Sequence, residues 1–276
     1  MKLPPPEKST IEANTANLFN SFRKFCQKSY FYSFKHCFIE KAKAFTLAEV
    51  LITLGIIGVV AALTIPALIQ NYNNTVAETR LKKFYSIMNQ AILQSIVDNG
   101  EVESWSYFNN GEKDDEGNMV NQADKNNESF QKYLAPYLKI TEKKEAKDIV
   151  GNKVILYFLA DGSAFSFTYH ENRDILFYPK NPEKCLKREN STGSCAFYFA
   201  FYPVNSSSLW KYHYRKGMEP ELYNWNGNEN TLYTDSERGC NKESKGDIIG
   251  AGAYCTAIIQ RNGWKIPKDY PRRISY

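Results

Sequence analysis

Lys41-Ala42-Lys43-Ala44-Phe45-Thr46-Leu47-Ala48-Glu49-Val50-Leu51-Ile52-Thr53-Leu54-Gly55-Ile56-Ile57-Gly58-Val59-Val60-Ala61-Ala62-Leu63-Thr64-Ile65-Pro66-Ala67-Leu68-Ile69 decides how the rest of the chain is read. After Glu49 no charged residue appears until Glu78. As a helix rising about 1.5 Å per residue, Val50 to Ile69 covers roughly 30 Å, the thickness of a bilayer's hydrocarbon core. The run is apolar around its whole circumference and has no polar stripe before Gln70, which excludes a half-buried helix on a soluble core. It predicts a membrane span.

The edge of the run carries a second signal. Lys41 and Lys43 precede a small residue, then Phe-Thr-Leu, then a lone glutamate one step inside the apolar stretch. On these residues the sequence resembles the prepilins of type IV pili and the pseudopilins of type II secretion systems, over about Lys41 to Ala91. The resemblance implies that a prepilin peptidase cuts on the cytoplasmic side between Ala44 and Phe45, and that Phe45 becomes an N-methylated new N-terminus. It also implies that Glu49 is an assembly contact, set against the new ammonium of a neighbouring subunit. The family usually has glycine at the position of Ala44; alanine is still small enough for a peptidase cleft. Two other readings fit the apolar run, an uncleaved signal anchor and a secretory signal cut near Ala61-Ala62. An ordinary signal needs no Glu49 and is usually shorter. Glu49 itself could instead snorkel toward Lys43 at headgroup depth.

The 276-residue chain is long enough for one sizeable domain with extensions. Its net charge of +5 is local: residues 1–44 hold eight of the 35 Lys and Arg and three of the 30 Asp and Glu, leaving 27 of each sign beyond. A neutral mature chain gives no basis for nucleic-acid binding. The basic excess flanks the N-terminal side of the span, so that side stays in the cytoplasm and the remainder goes out. The expected organisation is a leader over 1–44, a transmembrane helix over 45–69, its amphipathic continuation over 70–98 and an extracytoplasmic domain over 99–276. Residues 1–38 read equally as part of that leader, as a genuine cytoplasmic extension or as the product of a misplaced start.

Past Pro66, Val76, Leu81, Phe84, Ile87, Met88, Ala91, Ile92 and Ser95 recur at three- and four-residue spacing, the pattern of a helix resting on a globular body. Pro66 lacks an amide donor, so a kink or local melting is expected there, loosened further by Gly55 and Gly58. Asn99 to Glu128 reads as a loop, whose carboxylates between Gly111 and Asn118 lack the ligand spacing of a known calcium loop. A short helix is expected over Ser129 to Ile140, bent at Pro136, with the charged Glu142 to Lys147 leading out of it. Val154 to Ala160 and Ala164 to Tyr169, joined around Asp161-Gly162, read as an antiparallel hairpin. Ile175 to Tyr178, Ala196 to Tyr202 and Leu209 to Tyr214 are further strand candidates. Together these give an α+β fold, a long N-terminal helix packed on a small antiparallel sheet, which is also the fold the pilin-like resemblance implies.

Of six cysteines, Cys26 and Cys37 fall in the leader, and Cys185, Cys195, Cys240 and Cys255 remain. An even number in a chain sent outward predicts disulfides, with three connectivities open; the local one joins Cys185 to Cys195 and Cys240 to Cys255. There is no Cys-x-x-Cys pair to hold a metal, and only His170 and His213 follow the leader. Nucleophile elbow, phosphate loop and metal triad are all missing, so neither enzyme nor cofactor is expected. The aromatic residues, 14% of the chain with Trp210, Trp225 and Trp264 among them, fit a ligand-binding face or an ordinary core. By resemblance the chain is a structural subunit of a pilus or pseudopilus fibre in the bacterial inner membrane. Its implied partners are prepilin peptidase, other pilin or pseudopilin subunits, membrane lipid and an assembly platform with its ATPase. The alternative is a membrane-tethered extracytoplasmic ligand-binding protein that never polymerises.

Overall fold

A computed structural model describes residues 46–105, 112, 113, 115, 119–168, 173–244 and 250–276. Helix α1 runs over Leu47–Asn99. As far as Ile57 its apolar side chains, Leu47, Leu51 and Leu54 among them, are exposed. From Gly58 to Ile69 the pattern is the same, with Val59, Leu63, Ile65 and Leu68 uncovered. The helix continues through Pro66 without a break, so the local melting expected there is absent from the single chain. Proline removes only one hydrogen bond of the ladder, and the turns on either side keep theirs.

From Ala77 onward α1 is amphipathic. Ala77, Leu81, Phe84, Met88, Ala91, Ile92 and Ser95 are buried, one face of a 3.6-residue repeat. Ala77, rather than the expected Val76, takes the first buried position. This face lies on a six-stranded antiparallel sheet: β3 (Ile140–Lys147), β4 (Lys153–Leu159), β5 (Ala164–Phe167), β6 (Asp174–Tyr178), β7 (Phe197–Ala200) and β8 (Glu219–Pro220), each paired with the next in chain order. A separate two-stranded pair, β1 (Glu112–Lys113) and β2 (Met119–Val120), precedes it.

Alternate residues of the strands meet the helix. Ile155, Tyr157 and Leu159, then Phe165 and Phe167, Ile175 and Phe177, Phe197 and Phe199 share one core with α1. Phe84 is the centre of that contact: it stacks on Phe177 at 4.3 Å and lies 5.3 Å from Phe165 and 5.4 Å from Phe199. The opposite face is covered too, since Val154, Leu156 and Tyr178 pack with Cys185, Leu186, Cys195 and Ala196. The loop between β4 and β5 turns at Gly162, whose φ of 76° lies in the left-handed region that glycine adopts without strain. Ser163 N–H donates to Asp161 Oδ1 beside it.

Three expectations are corrected. Helix α2 spans Gln122–Tyr133 and ends before Pro136, which sits in a separate 3₁₀ turn over Ala135–Tyr137. Its early turns bury Gln122 and Asn126, which bond to each other at 2.7 Å, so an apolar repeat could not mark its start. Glu142 to Lys147 do not lead away as loop but form most of the edge strand β3, where exposed charges discourage pairing with another chain. Leu209 to Tyr214 is no strand: a 3₁₀ turn over Ser208–Trp210 passes into further turns, burying Trp210 and His213 three residues apart. Among the described residues three more α-helices follow β6: α3 (Pro182–Leu186) before β7 and, after β8, α4 (Thr231–Thr234) and α5 (Cys255–Arg261).

Candidate functional site

The first turn of α1 is closed by its own side chains. Glu49 Oε2 accepts from Thr46 N–H at 2.8 Å and from Thr46 Oγ1 at 3.0 Å, and Glu49 N–H donates back to Thr46 Oγ1 at 3.2 Å. Thr46-Leu47-Ala48-Glu49 is therefore a capping box: threonine at the N-cap and glutamate three residues on satisfy amides that the helix itself leaves open. The resemblance singled out Glu49 for its charge. Its bonds to Thr46 add a second role, fixing where that carboxylate sits. Ala44 and Phe45, the expected cleavage pair, lie outside the described residues, as do Cys26, Cys37, His170 and most of the acidic loop over 111–118.

Beyond the cap, the most apolar 18-residue window of α1 has a mean hydropathy of 2.4 and none of it is buried. No Cβ placed on Gly55 or Gly58 would meet another atom within 4 Å, so neither glycine is there for close packing inside this chain. A segment this apolar, uncovered over its length, is soluble only in lipid or against other such helices.

The domain that follows is covalently fastened. Cys185 bonds to Cys195 with S–S 1.99 Å, and Cys240 to Cys255 with S–S 2.01 Å. Trp210 and Trp225 are buried, which places these aromatics in the core rather than on a binding face.

One charged cluster in the core had no sequence signal. Asp174 and Glu221 are both buried; the Tyr198 hydroxyl bonds to Asp174, and Arg173 Nε lies 3.4 Å from Asp174 Oδ1. Burial first, then the charge of Asp174, pushes the Glu221 carboxyl up to about 8. Asp174 is likewise raised by burial, against the pull of Arg173. Two buried carboxyls that repel cannot both ionise cheaply; Glu221 Oε1 accepts from Tyr223 N–H at 2.8 Å, while its Oε2 has no hydrogen-bond partner among the described residues. Arg173 in turn lies over the rings of Trp210, at 4.7 Å, and Tyr202, at 5.2 Å. His213 Nε2 accepts from Leu222 N–H at 3.1 Å, and burial lowers its pKa to about 4, so it stays neutral. These groups are enclosed, and they read as a structural network rather than an open acid–base site. Among the described residues no three His, Cys, Asp or Glu could hold a metal ion.

Two family models match the chain. The prokaryotic N-terminal methylation motif matches residues 40–65, the segment that holds the cap, Glu49 and most of the apolar run. A family of unknown function (DUF6613) matches residues 67–274 and so takes in the amphipathic half of α1 together with the sheet domain. No curated protein and no solved structure matches the chain. The methylation motif is the prepilin signal of type IV pilins and pseudopilins, a family of structural subunits, and with one long apolar helix it fits a single-pass inner-membrane protein. The chain belongs to the family of unknown function DUF6613, and it carries the type IV pilin and pseudopilin prepilin signal in front of that family's domain.

Proposed function

We propose that this protein is a structural subunit of a fibre of the type IV pilus or type II secretion class. The observation that carries the reading is the continuity of one helix from the prepilin signal, through a fully uncovered apolar stretch, into the core of a disulfide-bonded domain. Residues 1–44 are the leader that prepilin peptidase removes, and Phe45 is the residue that becomes methylated. Before assembly the helix over 45–69 holds the chain in the inner membrane, with residues 99–276 outside. Extraction by an assembly platform and its separate ATPase then moves the apolar stretch from lipid to contact with other subunits. Such a transfer suits a segment that is uncovered over its length.

Glu49 supplies the register. A carboxylate inside a span costs about 2.5 to 3.5 kcal/mol at the centre and less near the edge, so a partner is needed. Cleavage would create an ammonium on Phe45, about 6 Å along the helix, and an axial offset between subunits sets the ammonium of one against Glu49 of the next. The capping box supports this by tying Glu49 to Thr46, the residue directly after that ammonium. The test is to express the full chain with a tagged domain beside a fibre-assembly system and shear the cells. Recovery of peptides from 99–276 in the sheared fibre fraction is expected. Retention of all the protein in membranes, with other subunits assembling normally, would favour a tethered protein that does not polymerise.

A further inference from the structure

Where the apolar run stops, the C-terminal segment comes back to meet α1. Arg273 Nε donates to Gln70 Oε1 at 2.7 Å, and Gln70 Nε2 reaches the carbonyl of Ile274 at 3.4 Å. Between them lies a groove of about 400 Å³ lined by Gln70, Asn74, Lys242, Lys268, Arg272 and Arg273 together with neutral residues of 266–271. That volume is within the range of small-molecule sites, roughly 300 to 1,000 Å³. Four cations line it and no acid does; Glu243 and Asp269, next to Lys242 and Lys268 in sequence, are not part of the wall. Among the described residues none of the four cations is in an ion pair.

Arg272 is the unusual member. It is 6% exposed, and among the described residues its guanidinium donates only to neutral oxygens: Asn241 O at 2.9 Å, Thr192 O at 2.8 Å and Ser244 Oγ at 3.0 Å. Two glycines make room for it. A Cβ on Gly252 would stand 2.7 Å from Arg272 Cζ, and one on Gly193 would stand 3.0 Å from Arg272 Cδ. A buried guanidinium with no counter-ion among the described residues is unfavourable in a single chain, and here it borders a groove whose other charged residues are all positive.

Depth selects the occupant. If the hydrocarbon ends at Ile69, Gln70 to Asn74 occupy about the next 7 Å, and the headgroup layer beyond the core is about 5 to 7 Å thick on each side. We propose that this groove binds the phosphodiester headgroup of an anionic phospholipid, seating the domain on the membrane surface at the end of its helix. The inference rests on the membrane-span reading of α1 and is independent of fibre assembly.

The full chain, reconstituted in phosphatidylcholine vesicles containing a minority of phosphatidylglycerol, is examined with spin-labelled forms of both lipids. Restricted phosphatidylglycerol should exceed restricted phosphatidylcholine by roughly threefold or more at low salt, and the excess should shrink as salt rises. A Lys242→Gln, Lys268→Gln, Arg273→Gln triple variant leaves Arg272 in place; with unchanged thermal unfolding it should bring the ratio close to one. Equal restriction of both lipids by the wild type, or an excess unaltered in the folded triple variant, overturns the proposal. So does loss of the excess when inorganic phosphate replaces chloride at constant ionic strength, which reassigns the groove to a free anion. Chain washed off the vesicles by alkaline carbonate would refute the span, and the headgroup assignment with it; chain that stays inserted but shows no lipid preference refutes the groove alone.

Discussion

Glu49 and Thr46 form one hydrogen-bonded unit but carry separable roles, and two substitutions divide them. Thr46→Val deletes the hydroxyl that accepts from Glu49 N–H and donates to its carboxylate, while leaving the charge and the Thr46 backbone bond. Loss of such a cap costs about 1 kcal/mol, roughly a fivefold shift in the order of the first turn. Glu49→Gln keeps an acceptor for Thr46 but removes the charge. At about 4 Å and an effective dielectric of about 20, the pairing of Glu49 with a neighbour's ammonium is worth about 4 kcal/mol, and half of that still means about thirtyfold in subunit affinity. Incorporation of each variant into sheared fibres is measured against its inserted membrane pool, in cells that also make the wild-type companion subunits. Both variants should insert normally, Thr46→Val should assemble a few times less well, and Glu49→Gln should fall by more than tenfold. Wild-type incorporation of Glu49→Gln would refute the pairing and leave the carboxylate with capping or snorkelling alone. A Thr46→Val defect as deep as that of Glu49→Gln would refute the separation of the two roles.

Three further outcomes follow from the domain. Phe84→Ala removes a fully buried ring that meets Phe165, Phe177 and Phe199, and should lower unfolding free energy by about 3 to 5 kcal/mol, read by denaturant titration of the detergent-solubilised chain. The two disulfides close sequence separations of 10 and 15, so replacing each pair by serines should cost about 3 kcal/mol by constraint of the unfolded chain, and thiol counting on denatured wild type should find these four cysteines unreactive. Glu221 holds its proton more tightly folded, with a pKa of about 8, than at its ordinary 4.5, so the protonated fold is favoured. Stability should therefore fall, by on the order of a few kcal/mol, as pH rises from about 4.5 to about 8, and Glu221→Gln should flatten that slope.

Legibility in the sequence followed the physical source of each element. The apolar run was readable from its length and lack of charge, the amphipathic stripe from Leu81 to Ser95 from the period that burial of one helix face imposes, and the hairpin from two apolar runs meeting at Asp161-Gly162. Strand β3 was not, because an edge strand with one paired side and mostly exposed side chains needs no apolar alternation; its Thr-Glu-Lys-Lys-Glu resembles a solvated loop. The start of α2 was hidden by buried amides, whose partners, such as the Thr168 carbonyl that accepts from Asn126, are distant in the chain. Leu209 to Tyr214 misled in the opposite sense, since aromatic content alone suggested a strand while Trp210 and His213 are buried at a spacing of three. Near the start of α1, Thr46-x-x-Glu49 is a capping box in the sequence itself, but a lone carboxylate at the edge of an apolar run stands out by its charge, while the threonine that bonds it does not. Asp174, Glu221 and Arg272 gave no local signal, because a carboxyl or guanidinium becomes unusual only through what folds over it.

The central claim is that residues 40–65 work as a prepilin signal, and the state of the N-terminus tests it most directly. The full chain is co-expressed with a prepilin peptidase, purified from membranes and weighed intact, with N-terminal sequencing alongside. The account predicts a chain that begins at N-methylated Phe45, and an unprocessed chain when the peptidase is omitted. Retention of residues 1–44 with active peptidase present, or an N-terminus beyond Ala62, would contradict it.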